Sequence, residues 1–177
     1  MGAAPSRPMI PVWDAAVRIL HWTLVLSVAA AWLTRHSPGR WHEWLGYGAL
    51  AVVVARAFWG FVWSRHARFT DFIRSPSITA AYARDVLSAR EARFIGHNPL
   101  GGWMVIALLA MVVLVGATGW LYTTDRFWGV EWVEDLHETL SNILFATVAL
   151  HILGVVFTSV RHRENLPAAM LHGRKPE

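Results

Sequence analysis

Residues 136–160 read LHETLSNILFATVALHILGVVFTSV, and this run decides the fold. A helix needs ~20 mostly apolar residues to cross the hydrocarbon core of a bilayer. The run meets that length, with no charged residue between Glu138 and Arg161. It is too long for a membrane strand and does not alternate with period two. It also carries two histidines, His137 and His151, 14 residues apart. At ~1.5 Å rise per residue they stand about 21 Å apart along a helix. At ~3.6 residues per turn their directions differ by about 40°. One helix thus offers two imidazoles to one interior, one above the other.

Three more windows upstream are long and apolar enough to span: residues 15–33, 41–63 and 100–122. With 136–160 they predict an all-α, integral membrane four-helix bundle, a single domain over residues 1–177. The first window carries Asp14, Arg18 and His21 at its start and no small-residue cleavage site before Arg35, so it reads as a span and not as a signal peptide. Composition agrees, with 55% apolar and 16% charged residues. Cysteine is absent, which excludes disulfides, thiolate zinc, iron–sulfur clusters and covalently attached haem. A net charge of +4 gives no reason to expect nucleic acid.

The placement of charge predicts orientation. Arg7 and Arg18 flank the first span; Arg65, Arg68, Arg74, Arg84, Arg90 and Arg93 fill the loop after the second; Arg161, Arg163, Arg174 and Lys175 form the tail. The opposite loops hold Arg35, Arg40 and Arg126, together with Asp125, Glu131, Glu134 and Asp135 in the loop before the fourth span. The excess of basic residues puts both termini in the cytoplasm. Most of the 11 tryptophans fall at span ends, with Trp13, Trp63 and Trp103 at the cytoplasmic face and Trp32, Trp41, Trp44, Trp120, Trp128 and Trp132 at the other. Residues 77–92 read as an amphipathic helix on the cytoplasmic membrane surface, with Ile78, Ala81, Tyr82, Val86 and Leu87 along one side.

Ionisable groups inside a span are costly and point to function. His21 and His151 share the cytoplasmic depth, and His42 and His137 share the opposite one. Taken singly, each histidine could be an interhelical hydrogen-bond donor; matched depths favour two paired sites. Zinc or a di-iron centre wants more ligands, with carboxylates, and none sits at mid-span. Haem iron needs two axial ligands and flat room. Gly46, Gly48, Gly116, Gly119, Ala149 and Gly154 are the small residues nearest these positions. Two stacked haem sites follow, His21 with His151 and His42 with His137. Arg56, 14 residues after His42, lies at the cytoplasmic depth. Its guanidinium suits a haem propionate; the alternative is that it snorkels to the interface.

Five strings carry a resemblance over nearly the whole chain: RILHW (18–22), HEWLGY (42–47), GHNPLGG (96–102), HETLSN (137–142) and ENLPAAMLHGRK (164–175). Together they resemble the bacterial cytochrome b561 family, which is similar to the b-type cytochrome subunits of nickel–iron hydrogenases. The resemblance implies two haem b groups held by His21, His42, His137 and His151, with none of the ligands on the third span. It implies a place in the bacterial inner membrane, electron exchange with ubiquinone or another quinone, and a redox partner such as a c-type cytochrome, a hydrogenase or a dehydrogenase. Some members of the family instead act as superoxide:ubiquinone oxidoreductases. The acidic outer loop weighs against that activity here, although Arg35 and Arg40 could act locally. His97, in GHNPLGG, either lines a quinone or proton pocket or anchors the start of the third span.

Overall fold

The computed structural model describes residues 8–62 and 67–177; Arg7, Trp63, Arg65 and His66 lie outside the described residues. In chain order the elements are β1 (Met9–Pro11), α1 (Ala15–Leu33), α2 (Trp41–Val62), α3 (Phe69–Phe72), α4 (Pro76–Leu87), α5 (Pro99–Tyr122), α6 (Glu131–His162), α7 (Leu166–His172) and β2 (Arg174–Pro176). Helices α1, α2, α5 and α6 are each long and apolar enough to cross a membrane.

Local chemistry sets where most of these helices begin. The Asp14 carboxylate accepts a hydrogen bond from Val17 N at 2.9 Å and caps α1. Asn98 accepts from Gly101 N at 2.7 Å, and Pro99 fills the first turn of α5, where a missing N–H costs nothing. Ser75 and Pro76 do the same for α4. At its far end, α6 stops where Arg163 turns left-handed, at φ 54°.

Two boundaries differ from the sequence expectation. α6 starts at Glu131, so Glu131, Glu134 and Asp135 belong to its first turns and not to a loop. No glycine or proline interrupts residues 131–136, and carboxylates are favoured at the positive end of a helix. α4 ends at Leu87, short of residue 92, because Ala89 adopts φ 57°. Its apolar side is also divided. Tyr82 is buried beneath α4, whereas Ile78 and Leu87 are exposed.

The long helices pack in sequence, α1 on α2, α2 on α5 and α5 on α6. α1 meets α6 through Trp32 and Phe145, whose ring centroids are 3.9 Å apart. At mid-height Ala49, Val53, Val112 and Leu144 are buried together, with Leu24, Val28 and Val148 packed around them. Gly116 permits the close approach of α2 to α5: a Cβ there would lie 2.6 Å from the Leu50 side chain. Large apolar side chains such as Leu26, Val54, Phe61 and Val160 point outward. That inversion is expected where lipid, and not water, is the solvent.

The segments flanking the bundle are tied together at one end, here called the terminal end. β1 and β2 pair antiparallel, with Ile10 opposite Lys175. Lys175 is 4% exposed; its ammonium donates to Phe94 O at 3.0 Å and pairs with Glu164 at 2.9 Å. Arg93 also pairs with Glu164 and donates to Pro176 O. Arg161 pairs with Glu91 at 2.7 Å. α1 joins this tie, since Trp22 donates from its indole to Met170 O at 3.2 Å.

Candidate haem sites

At the end of the bundle opposite the termini, His42 on α2 and His137 on α6 come together. Their ring centroids are 5.9 Å apart and their planes nearly perpendicular, at 89°. Each ring is held from behind by a carbonyl. His42 Nδ1 lies 2.8 Å from Ala31 O of α1, and His137 Nδ1 lies 3.1 Å from Val115 O of α5. A carbonyl can only accept, so each Nδ1 carries its proton and each Nε2 is left with a lone pair. That is the tautomer a metal-binding imidazole needs, fixed by the hydrogen bond its other nitrogen makes.

The spacing fits one metal ion between two rings. An imidazole–metal bond of roughly 2.0 Å, plus roughly 1.1 Å from nitrogen to ring centre, taken on both sides gives about 6 Å between centroids. The observed 5.9 Å agrees. Among the described residues no group of three or more His, Asp or Glu could hold a metal ion. A pair of neutral imidazoles supplies the two axial ligands of a haem iron.

Toward the terminal end, His21 on α1 and His151 on α6 are within electrostatic reach of each other. His21 Nδ1 is buried with no hydrogen-bond partner. Leaving such a group unsatisfied costs about 1–3 kcal/mol, and His21 lacks the carbonyl backing that His42 and His137 have. The Trp22 ring stands edge-on to His21, with centroids 5.1 Å apart.

The small residues play different parts. A Cβ on Gly46 or Gly48 would meet nothing within 4 Å, so no neighbouring side chain fills either position. Gly119 is already used by the protein: a Cβ there would lie 3.0 Å from His137 Cε1. Gly116 is filled by Leu50 in the same way and gives a ligand no room. Ala149 and Gly154 are exposed on α6.

Arg56 is buried, at 8% exposure, so it does not snorkel to the interface. Its Nη2 donates to Ala67 O at 3.2 Å, its guanidinium lies over Phe69 at 5.4 Å, and Asp14 is its electrostatic partner. Nη1 has no hydrogen-bond partner among the described residues. The observed contacts of Arg56 are therefore with the segment leading into α3 and not with His21 or His151. His97 sits nearby between Trp13 and Phe72, each centroid 4.7 Å from its own. Beside it is a cavity of about 300 Å³ lined in part by Phe72, Arg74, Phe94 and His97.

Sequence reading missed Thr118, whose hydroxyl lies 3.2 Å from His137 Nδ1. It also missed the carbonyls of Ala31 and Val115. A polar residue beside glycine in an otherwise apolar span was the available signal for Thr118; backbone carbonyls leave none.

Membrane-length helices that hold facing imidazoles with their Nδ1 protons already committed define a class, the multi-pass membrane cytochromes of the b type. The chain belongs to the prokaryotic cytochrome b561 family, whose model matches residues 12–173. Among its relatives are proteins named probable Ni/Fe-hydrogenase B-type cytochrome subunit. The one from Azotobacter vinelandii is 23% identical, over 95% of this chain and 89% of its own length. The one from Cupriavidus necator is 24% identical, over 92% and 85%. The one from Rhodobacter capsulatus is 25% identical, over 96% and 82%. The family is one of membrane electron-transfer proteins that bind haem b.

Proposed function

We propose that this protein is a di-haem cytochrome that carries electrons across the bacterial inner membrane between the quinone pool and a redox partner. The observation that carries the reading is the His42–His137 pair, 5.9 Å between centroids with both Nδ1 protons given to carbonyls. His42 and His137 hold one haem b and His21 and His151 the other, and each haem supplies a reversible one-electron couple. The protein sets ligand orientation, burial and nearby charge, which tune those couples. Both termini lie in the cytoplasm, as the basic residues at the terminal end favour.

The partner is a redox protein at the opposite face, and the names of the relatives point to a hydrogenase. Glu131, Glu134 and Asp135 on the first turns of α6 suit a basic docking surface, and such complementarity acts mainly on association rate. Superoxide oxidation draws less support. Arg40 is paired with Glu43 at 2.7 Å, which offsets its charge, and Glu131, Glu134 and Asp135 at the same face oppose an anion. The cavity beside His97, at the terminal end, is the candidate quinone site, with aromatic walls and both Arg74 and His97 able to donate to a carbonyl oxygen.

Purified protein in lipid nanodiscs should show a b-type absorbance spectrum that ubiquinol reduces. A b-type spectrum that neither ubiquinol nor menaquinol alters would remove the quinone from this account.

Arg56 gives a sharper test of the inner site. A buried positive charge stabilises the reduced haem or holds its propionate. Losing about 1–2 kcal/mol of that stabilisation in Arg56→Gln should lower one midpoint potential by about 40–90 mV for a one-electron couple. The other haem, about 20 Å away along the helix rise, should hold its value. Arg56→Lys should keep most of the potential. If neither potential moves in a redox titration, Arg56 serves only the fold of the Ala67–Phe69 segment.

A further inference from the structure

α5 carries no histidine, yet it shapes the outer pair more closely than any other non-ligand helix. Three features of its last turns meet the His137 ring. Val115 O lies 3.1 Å from Nδ1 and Thr118 Oγ1 lies 3.2 Å from the same nitrogen. Gly119 presents a bare Cα where a Cβ would sit 3.0 Å from Cε1 and 3.4 Å from Nδ1. The Thr118 hydroxyl lies 3.0 Å from both Leu114 O and Val115 O. Its single proton is therefore given to the helix backbone, and its oxygen lone pairs face the imidazole. Nδ1–H is then shared between two acceptors, Val115 O and Thr118 Oγ1.

We infer that Thr118 and Gly119 form a cradle that positions His137 and sets its strength as an axial ligand. The inference rests on the proposed haem role of His137. A hydrogen bond from Nδ1–H to an acceptor raises the donor power of Nε2, and a second acceptor raises it further. A stronger donor favours the ferric iron, so the cradle lowers the potential of the haem it serves. Gly119 lets the Cε1–Nδ1 edge of the ring approach α5 closely while both acceptors reach Nδ1. His21 of the inner pair has no such backing, since its Nδ1 is without a hydrogen-bond partner. His137 and His21 thereby differ in their backing and not in their residue type.

Thr118→Val keeps the shape of the side chain and removes the acceptor. The experiment is a spectroelectrochemical titration of wild type, Thr118→Val, Thr118→Ser and Gly119→Ala, with low-spin EPR of the oxidised proteins. The component that disappears in His137→Ala identifies the outer haem. Thr118→Val should raise the outer midpoint potential and leave the inner one in place, and Thr118→Ser should return it to the wild-type value. Gly119→Ala should move the outer EPR signal by turning the ring. Two intact haem components with an unmoved outer potential in Thr118→Val would overturn the cradle and spare the functional reading. Equal movement of both components would overturn it as well. Wild-type protein with no haem component assignable to His137 would overturn the functional reading itself, and the cradle with it.

Discussion

His137→Ala should halve the haem content and erase one of two spectral components, leaving the other close to wild type. His42→Ala should erase the same component. The two ring centroids lie 5.9 Å apart, and loss of either imidazole would leave the proposed haem with one protein ligand. His21→Ala and His151→Ala should together define the second component. The expected effect is large because, in the proposed pairing, each position would supply half of a coordination pair that no neighbouring group replaces: among the described residues no third His, Asp or Glu joins either pair. Reduced-minus-oxidised spectra of the four single variants, each quantified against protein, check the pairing. If His21→Ala and His42→Ala removed the same component, the assignment of pairs by depth would be wrong.

The second large effect concerns stability. Glu164 is buried between Arg93 and Lys175, and this triad holds β2 and the loop before α5 against the end of α6. Glu164→Ala would leave Lys175, 4% exposed, and Arg93 facing each other without the carboxylate between them. Removing one partner of a buried ion pair costs about 3–5 kcal/mol, most of it the penalty of the charges left behind. A marked fall in the thermal midpoint in detergent is expected, together with protease sensitivity at the C-terminal segment. The effect should depend on pH. Burial pushes the Glu164 carboxyl upward, but the hydrogen bonds and charges of Arg93 and Lys175 outweigh it and hold the group below its ordinary value. Its contribution is then fully present above the unfolded carboxyl value of about 4.3 and is lost as pH falls through the lower folded value. Glu164→Gln should flatten the acid limb of the stability curve in that window. An unchanged acid limb would mean that the triad contributes little.

Much of this architecture is legible in the sequence because a bilayer imposes simple rules. Each span must be a continuous apolar helix of sufficient length, and a histidine within it is conspicuous. The 14-residue spacing of His137 and His151 places both on nearly one side of α6 by helix geometry alone. What the sequence hides is non-local. Nothing near Arg93 announces Glu164, 71 residues away, and nothing near Ile10 announces its pairing with Lys175. The early start of α6 was obscured because charged residues at 131–135 read as loop, although they suit the first turn of a helix. Arg56 was recognised as a buried charge, but its partners come from Ala67, Phe69 and Asp14, which only the folded chain brings to it. Backbone acceptors such as Ala31 O leave no trace in residue identity at all.

The central claim is two haem b groups per chain, one between His42 and His137 and one between His21 and His151. A pyridine haemochrome assay on purified, monodisperse protein, with the polypeptide quantified independently, tests it most directly. The account predicts a ratio close to two haems per chain, extractable by acidic acetone because no cysteine anchors them. A ratio close to one, or no haem in well-folded protein reconstituted with excess haem, would contradict it.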